Sequence, residues 1–279
     1  MSAIDLAPVA SRPGANPGDL IDRARYPVDA LDRPDTQALI ARCHAELVAT
    51  GACLLPGFLT AEALATMAAE ARQVAPLAHN GGVGRGTAYL EAPDESLPEG
   101  HPRRRLQTSS VGAVAYDLIP PGHVLRRLYE WEPLLRFIEA VVGRGRIFRY
   151  ADPMGALNIA VMAEGDHLFW HFDQTDFVTS ILLQDCESGG AFEYVPLIRG
   201  PGDERYDRVR RLLDGDRSEV VTLAIEPGTF AFFEGRHSIH RVSPIAGRTD
   251  RLIALLGYDT KPDTVSSDRL KLRRYGRLA

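Results

Sequence analysis

Apolar and polar positions alternate with two different rhythms along the chain, helical in the first half and strand-like in the second. The stretch Asp35-Thr-Gln-Ala-Leu-Ile-Ala-Arg-Cys-His-Ala-Glu-Leu-Val-Ala puts Leu39, Ile40, Cys43, Leu47 and Val48 on one helical stripe. Gly51 ends that helix, and Ala52-Cys-Leu-Leu-Pro predicts a short strand. Thr60 is suited to cap a second helix that runs to about Val74. After the break at Pro120-Pro121-Gly122, residues 123–142 predict one amphipathic helix. Its apolar side carries Leu125, Leu128, Tyr129, Leu134, Leu135, Ile138 and Val142.

From Gly155 onward short apolar runs alternate with turn signals. Candidate strands are 156–163, 168–173, 176–183, 191–195, 219–225, 229–234, 239–243 and 250–258. Gly165-Asp166, Glu187-Ser-Gly-Gly190 and Glu226-Pro-Gly228 supply turns between them. One helical excursion, Asp203 to Leu213, interrupts the strands as an insertion. Strands following a helical half predict a mainly β fold with α: a double-stranded β-helix (jelly roll, cupin-like) core buttressed by N-terminal helices. No repeat or linker cuts the chain. The expectation is therefore one domain, with helical support and a lid over 20–150 and the β core over 151–279. A flexible arm rich in Ala, Pro, Ser and Gly precedes it over 1–19. Residues 78–118 lack regular signals, and so long an irregular stretch in a folded chain is usually functional or disordered. Tyr89, Leu90 and Arg103 to Arg105 within it are suited to covering a pocket.

Composition narrows the function only a little. The 279 residues can bury a substantial core, and a net charge of -5 gives no support for a nucleic-acid partner. The short basic clusters Arg103-Arg104-Arg105 and Lys271-Leu-Arg-Arg274 read as solvated faces. Cys43, Cys53 and Cys186 are scattered and odd in number, which predicts a reducing, cytoplasmic setting without disulfides. No apolar run approaches membrane-spanning length, and Met1-Ser-Ala-Ile-Asp has no signal-peptide layout. A homodimer is compatible with all of this.

The chemistry concentrates in Gly165-Asp-His-Leu-Phe-Trp-His-Phe-Asp-Gln-Thr-Asp-Phe-Val. His171 and Asp173 are two residues apart, so in a strand they share a face while Trp170 and Phe172 bury the other. Downstream, Gly235-Arg-His-Ser-Ile-His-Arg-Val-Ser-Pro offers His240 at the start of a strand. Its rival His237 would face the opposite side and serve at the rim. Two histidines and one carboxylate fill half of an octahedron and leave three positions open, the arrangement of non-haem Fe(II) enzymes that admit a co-substrate and O2. Arg251 follows on the next strand and suits a distal carboxylate of that co-substrate, because guanidinium pairs with carboxylate in two-pronged fashion. Arg248, in the turn Ala246-Gly-Arg-Thr249, is the more solvated alternative.

His171-x-Asp173, His240 and Arg251 together resemble the Fe(II)/2-oxoglutarate dioxygenases. Four wider stretches are similar to the BesD/HalD-type free-amino-acid halogenases and hydroxylases, over roughly residues 115 to 277. They are Gly165-Asp166 with Trp170-His-Phe-Asp-Gln-Thr-Asp-Phe-Val, Gly189-Gly-Ala-Phe-Glu-Tyr-Val-Pro196, Gly235 to Pro244, and the ending Tyr275-Gly-Arg277. The resemblance implies Fe(II), 2-oxoglutarate and O2 as cofactors, with Arg251 on the far carboxylate. Halogenases of this branch carry Gly where this chain has Asp173, which leaves them a position for chloride. Here Asp173 fills it, so the resemblance implies hydroxylation of an unactivated C–H. The substrate implied is a free polar amino acid, lysine first, then arginine, ornithine or histidine. Such a substrate needs a cation and an anion within the pocket. Candidates are one of Arg103, Arg104 and Arg105 for its carboxylate and Glu130 or Asp176 for its cationic groups. Asn158 and Gln184 are candidate polar lining residues, Asn158 toward co-substrate or substrate. Alternatives are the same chemistry on a peptide side chain or natural-product scaffold, and a cupin-like protein that binds metal without redox chemistry.

Overall fold

The structure is a computed structural model in which residues 16–279 are described. The arm expected over 1–19 lies outside the described residues as far as position 15. Beyond it, Asn16 accepts the Gly18 amide and starts a single 3-10 turn, Pro17–Leu20.

Ten strands form two facing sheets. In chain order they are β1 Ala52–Leu55, β2 Gly112–Val114, β3 Leu157–Met162, β4 Leu168–His171 and β5 Val178–Gln184. The second five are β6 Phe192–Val195, β7 Val221–Leu223, β8 Phe230–Phe233, β9 Ile239–Val242 and β10 Arg251–Leu256. The larger sheet runs β1-β8-β5-β10-β3-β2 and the smaller β7-β6-β9-β4, with antiparallel neighbours throughout. This is the double-stranded β-helix expected from the alternating pattern, mainly β with helices on one side. Each of the eight strands predicted after Gly155 is present, shortened by a residue or more. Two strands from the helical half, β1 and β2, add themselves at the edges of the larger sheet.

One face of the larger sheet is covered by helices. Ile159, Ile181, Phe230, Phe232, Leu252, Ala254 and Leu256 pack there against α1 Pro34–Thr50, α2 Ala61–Val74, α3 Val124–Glu130 and α4 Glu132–Val142. The stripe of α1 buries Ile40, Cys43 and Leu47, whereas Val48 is exposed. Gly51 closes α1 in the left-handed region at φ 75°. Thr60 caps α2 by accepting the Ala63 amide.

The single helix predicted over 123–142 is two helices broken at Trp131, whose ψ of 121° is extended. Pro133 accounts for the break: it has no N–H for the Tyr129 carbonyl and crowds it. That carbonyl instead accepts Arg149 Nε at 2.9 Å.

Glu70 on α2 is buried and accepts the Val124 amide at the start of α3, 2.8 Å away. Burial pushes its carboxyl up from 4.5 to about 7, against the pull of that amide and of Arg127. Between these two values the folded protein keeps a proton that the unfolded chain releases, so stability falls as pH rises through this window. Glu70→Gln is expected to remove that loss, gaining of order 2 kcal/mol over wild type at pH 8 and little at pH 4. Urea unfolding at the two pH values measures it, and a gain of equal size at both would contradict it.

The opposite face of the larger sheet looks toward the smaller one. Ala160, Leu182 and Ile253 lie on it, as do Asn158 and Arg251 by strand alternation. Met162, Val242 and Ile245 join the sheets at one place, and Ala52, Tyr194 and Phe233 at another. The metal-ligand candidates line this inter-sheet space.

Candidate active site

His171 ends β4, and His240 lies directly opposite it on β9, so the ladder itself brings the two rings together. Their centroids are 4.2 Å apart. Asp173 lies two residues beyond β4, where its amide donates to the Gly235 carbonyl at 3.0 Å. Its oxygens reach 3.8 Å from His171 Nε2 and 3.7 Å from His240 Nε2. All three potential ligand atoms lie within 4.8 Å of one another, the spacing of donors around one ion.

Both imidazoles are held in the tautomer a metal requires. His171 Nδ1 is 2.7 Å from the Phe169 carbonyl and His240 Nδ1 is 3.0 Å from the Ser238 carbonyl. Each Nδ1–H donates to its carbonyl, which leaves Nε2 bare and aimed at the ion. Burial, reinforced by the neighbouring His240, pushes His171 down to about 4 despite the opposing pull of Asp173. It is therefore a neutral ligand at neutral pH. Phe192 stacks on His240 at 5.4 Å and Phe233 meets it edge-on at 4.8 Å, which fixes the ring from both sides.

The aromatic residues between the ligands face the other way. Trp170 and Phe172 pack with Val195, Ile198 and Ile239, and with Val209 and Leu212 of α5 Tyr206–Leu213. Gly235 has the closest relation to the carboxylate. A Cβ built on it would stand 1.7 Å from Asp173 Oδ2, so only glycine leaves the carboxylate room there.

Arg251 is 2% exposed. Among the described residues its guanidinium makes no hydrogen bond and has no carboxylate within ion-pair distance. A buried cation without a partner is costly, and a bound dianion would complete it.

A family model described as Halogenase D matches residues 35–269. The chain belongs to the Halogenase D family. It is a 2-oxoglutarate-dependent Fe(II) oxygenase that uses Fe(II), 2-oxoglutarate and O2. No curated relative matches it. Among solved structures it is similar in fold to a 2OG-Fe(II) oxygenase family oxidoreductase from Burkholderia pseudomallei. Identity is 18% and the TM-score 0.50, over 79% of this chain and 90% of that one. AviO1 from Streptomyces viridochromogenes gives 20% and 0.53 over 80% and 95%. HygX from Streptomyces hygroscopicus, solved with nickel and 2-oxoglutarate bound, gives 15% and 0.54 over 78% and 86%.

The residues of this Halogenase D member fit its cofactors: a His-Asp-His trio for the metal and an orphaned buried arginine for the co-substrate. Arg251→Leu is expected to raise the KM for 2-oxoglutarate by roughly thirtyfold, the loss of a charge-assisted pair worth about 2 kcal/mol. Succinate formation against 2-oxoglutarate concentration reads this, and an unchanged KM would remove Arg251 from the role.

Other predicted residues fall elsewhere. Arg103 bonds Tyr206 and Glu91, Arg104 pairs with Glu95, and Arg105 pairs with Asp214. Arg103 also lies over Tyr89, which packs on Phe172 behind the ligand strand. The expected pocket cover over 78–118 thus braces the back of β4: the Phe172 amide donates to Ala88 and Gln107 donates to the Trp170 carbonyl. Leu90 adopts a positive φ in the same brace. Glu130 is held by Tyr116 and Arg126 on the helical layer, across the larger sheet from the ligands. Gln184 is tied to Arg72 and the Asp250 carbonyl. Asp176 sits at the rim, paired with Arg236. His237 pairs with Glu234, while the Arg248 amide donates to Glu187 in an exposed turn.

Asn158 accepts a 3.0 Å hydrogen bond from Arg274 Nη2. The basic cluster Lys271 to Arg274 is thus not a uniform solvated face. Arg274 turns inward from the C-terminal helix, α6 Asp268–Tyr275, which Tyr275 anchors against Ala113, Ala115 and Met154. The large aromatic beside it was the only sequence signal that this helix docks.

Proposed function

We propose that this Halogenase D member hydroxylates an unactivated C–H of a free polar amino acid, lysine first, then arginine, ornithine or histidine. The observation that carries the hydroxylation reading is Asp173, whose carboxylate completes the ligand trio in clearance left by Gly235. With that position filled by protein, no place is left for a halide among the three protein-side positions.

The residues divide the work. His171 and His240 present bare Nε2 atoms, their orientation fixed by the Phe169 and Ser238 carbonyls. Asp173 supplies the anionic ligand, steadied by the Gly235 carbonyl on its amide. In this reading the buried Arg251 takes the far carboxylate of 2-oxoglutarate and so orients the co-substrate's other end toward the metal. The iron centre with 2-oxoglutarate and O2 supplies the oxidation: C–H becomes C–OH while 2-oxoglutarate becomes succinate and CO2. A small-molecule substrate suits a partly buried site between two sheets.

The test incubates the iron-loaded protein with 2-oxoglutarate and each amino acid in chloride-containing buffer. The expected product has gained one oxygen, with one succinate formed per turnover and no chlorinated species. A chlorinated product, or succinate formation that none of the four amino acids stimulates, would contradict this reading.

A further inference from the structure

Arg251 is not the sole cation turned toward the inter-sheet space. Arg274 reaches it from α6, and only one of its nitrogens, Nη2, is engaged, by Asn158 Oδ1. Its Nε is buried and has no hydrogen-bond partner. Among the described residues no carboxylate lies within ion-pair distance of it. Asn158 shares its strand face with Ala160 and lies opposite Leu255, on the same side of the sheet as Arg251. The helix that carries it lies against the ligand strand: the neighbouring Arg273 stands 6.0 Å over the Phe169 ring, whose centroid is 5.7 Å from that of His171.

A guanidinium has five donors in a planar fork, and here most of the fork is free. Leaving a buried N–H unpaired costs about 1–3 kcal/mol, which an anion arriving at Nε and an Nη would recover. The 2-oxoglutarate anion already has Arg251, deeper and fully buried. A second anion beside the metal belongs to the molecule being oxidised.

We propose that Arg274, oriented by Asn158, binds the α-carboxylate of the amino-acid substrate and so decides which carbon is presented to the metal. The inference rests on the amino-acid reading above. It replaces Arg103, Arg104 and Arg105 as the carboxylate-binding cation, since those three are engaged by Glu91, Glu95, Asp214 and Tyr206. A carboxylate fixed at one end makes the site a ruler: the distance from the α-carbon to the oxidised carbon is set by the fold.

The experiment compares wild type, Arg274→Leu and Arg274→Lys with L-lysine and with cadaverine, the same skeleton without the carboxylate. Wild type is expected to prefer L-lysine strongly. In Arg274→Leu the KM for L-lysine rises roughly thirtyfold or more, the KM for 2-oxoglutarate stays within about threefold, and the preference over cadaverine collapses. Arg274→Lys, which keeps a cation on a long stem, recovers part of the affinity. Calorimetric titration of L-lysine into the anaerobic, 2-oxoglutarate-loaded protein reads the same loss without turnover. An unchanged KM for L-lysine in a folded Arg274→Leu protein overturns the proposal, as does a rise confined to 2-oxoglutarate. If Arg274→Leu does not fold, Arg274→Gln gives the same readout. A wild-type protein that binds and oxidises none of the four amino acids overturns the amino-acid reading itself, and this inference with it.

Discussion

Gly235→Ala is expected to cost about a thousandfold in kcat/KM, some 4 kcal/mol, while leaving the fold intact. The added methyl would stand 1.7 Å from Asp173 Oδ2 and 2.5 Å from its Cγ, so the carboxylate must leave its place between the two histidines. The backbone is no obstacle, because Gly235 has none of the positive φ values that exclude a side chain. The effect therefore falls on the ligand and not on folding: thermal unfolding moves by no more than a few degrees, while Fe(II) binding weakens by at least roughly a hundredfold. Steady-state succinate formation and a metal-binding titration measure the two halves. Full activity in Gly235→Ala would mean that Asp173 does not occupy the position described.

Asp173→Ala is expected to be as damaging, and Asp173→Glu is not expected to rescue it. Removing the carboxylate leaves two neutral imidazoles to hold a dication that has lost its one protein anion. Lengthening the side chain keeps the charge, but the extra methylene drives the carboxylate past a gap whose width is set by Gly235 and by the short distances to both Nε2 atoms. Both variants should fall below about one-thousandth of wild-type turnover. Product analysis by mass measures it, and more than a tenth of wild-type activity in Asp173→Glu would show that the carboxylate position is loosely specified.

The β architecture and the metal trio were legible because both rest on period-two alternation. The i, i+2 spacing put His171 and Asp173 on one side, although the strand ends at His171 and Asp173 is held just beyond it by its amide on the Gly235 carbonyl. The facing of His240 by His171 was implied only by the strand pattern; the ladder supplies it. Where the expectations failed, a local breaker outweighed the apolar stripe once, and tertiary context decided the rest. The apolar stripe over 123–142 is continuous, yet Pro133 splits the helix, and Arg149 takes the carbonyl the proline abandons. Arg103 to Arg105 have the right charge for a pocket, but acidic partners from Glu91 to Asp214 neutralise them behind β4. Arg274 lay hidden in the Lys271 to Arg274 cluster, where spacing alone could not tell which basic residue turns inward. That depends on where α6 docks, a contact across more than a hundred residues of chain.

The most direct test is an anaerobic titration of 2-oxoglutarate into the Fe(II)-loaded protein, followed by visible absorption. Two histidines and one carboxylate that leave adjacent positions open predict a charge-transfer band saturating at one co-substrate per chain. In chloride-free buffer the band is lost in Asp173→Ala and formed with weaker affinity in Arg251→Leu. No band in the wild type, or one unchanged by Asp173→Ala, would contradict the assignment of His171, Asp173 and His240 as the iron site.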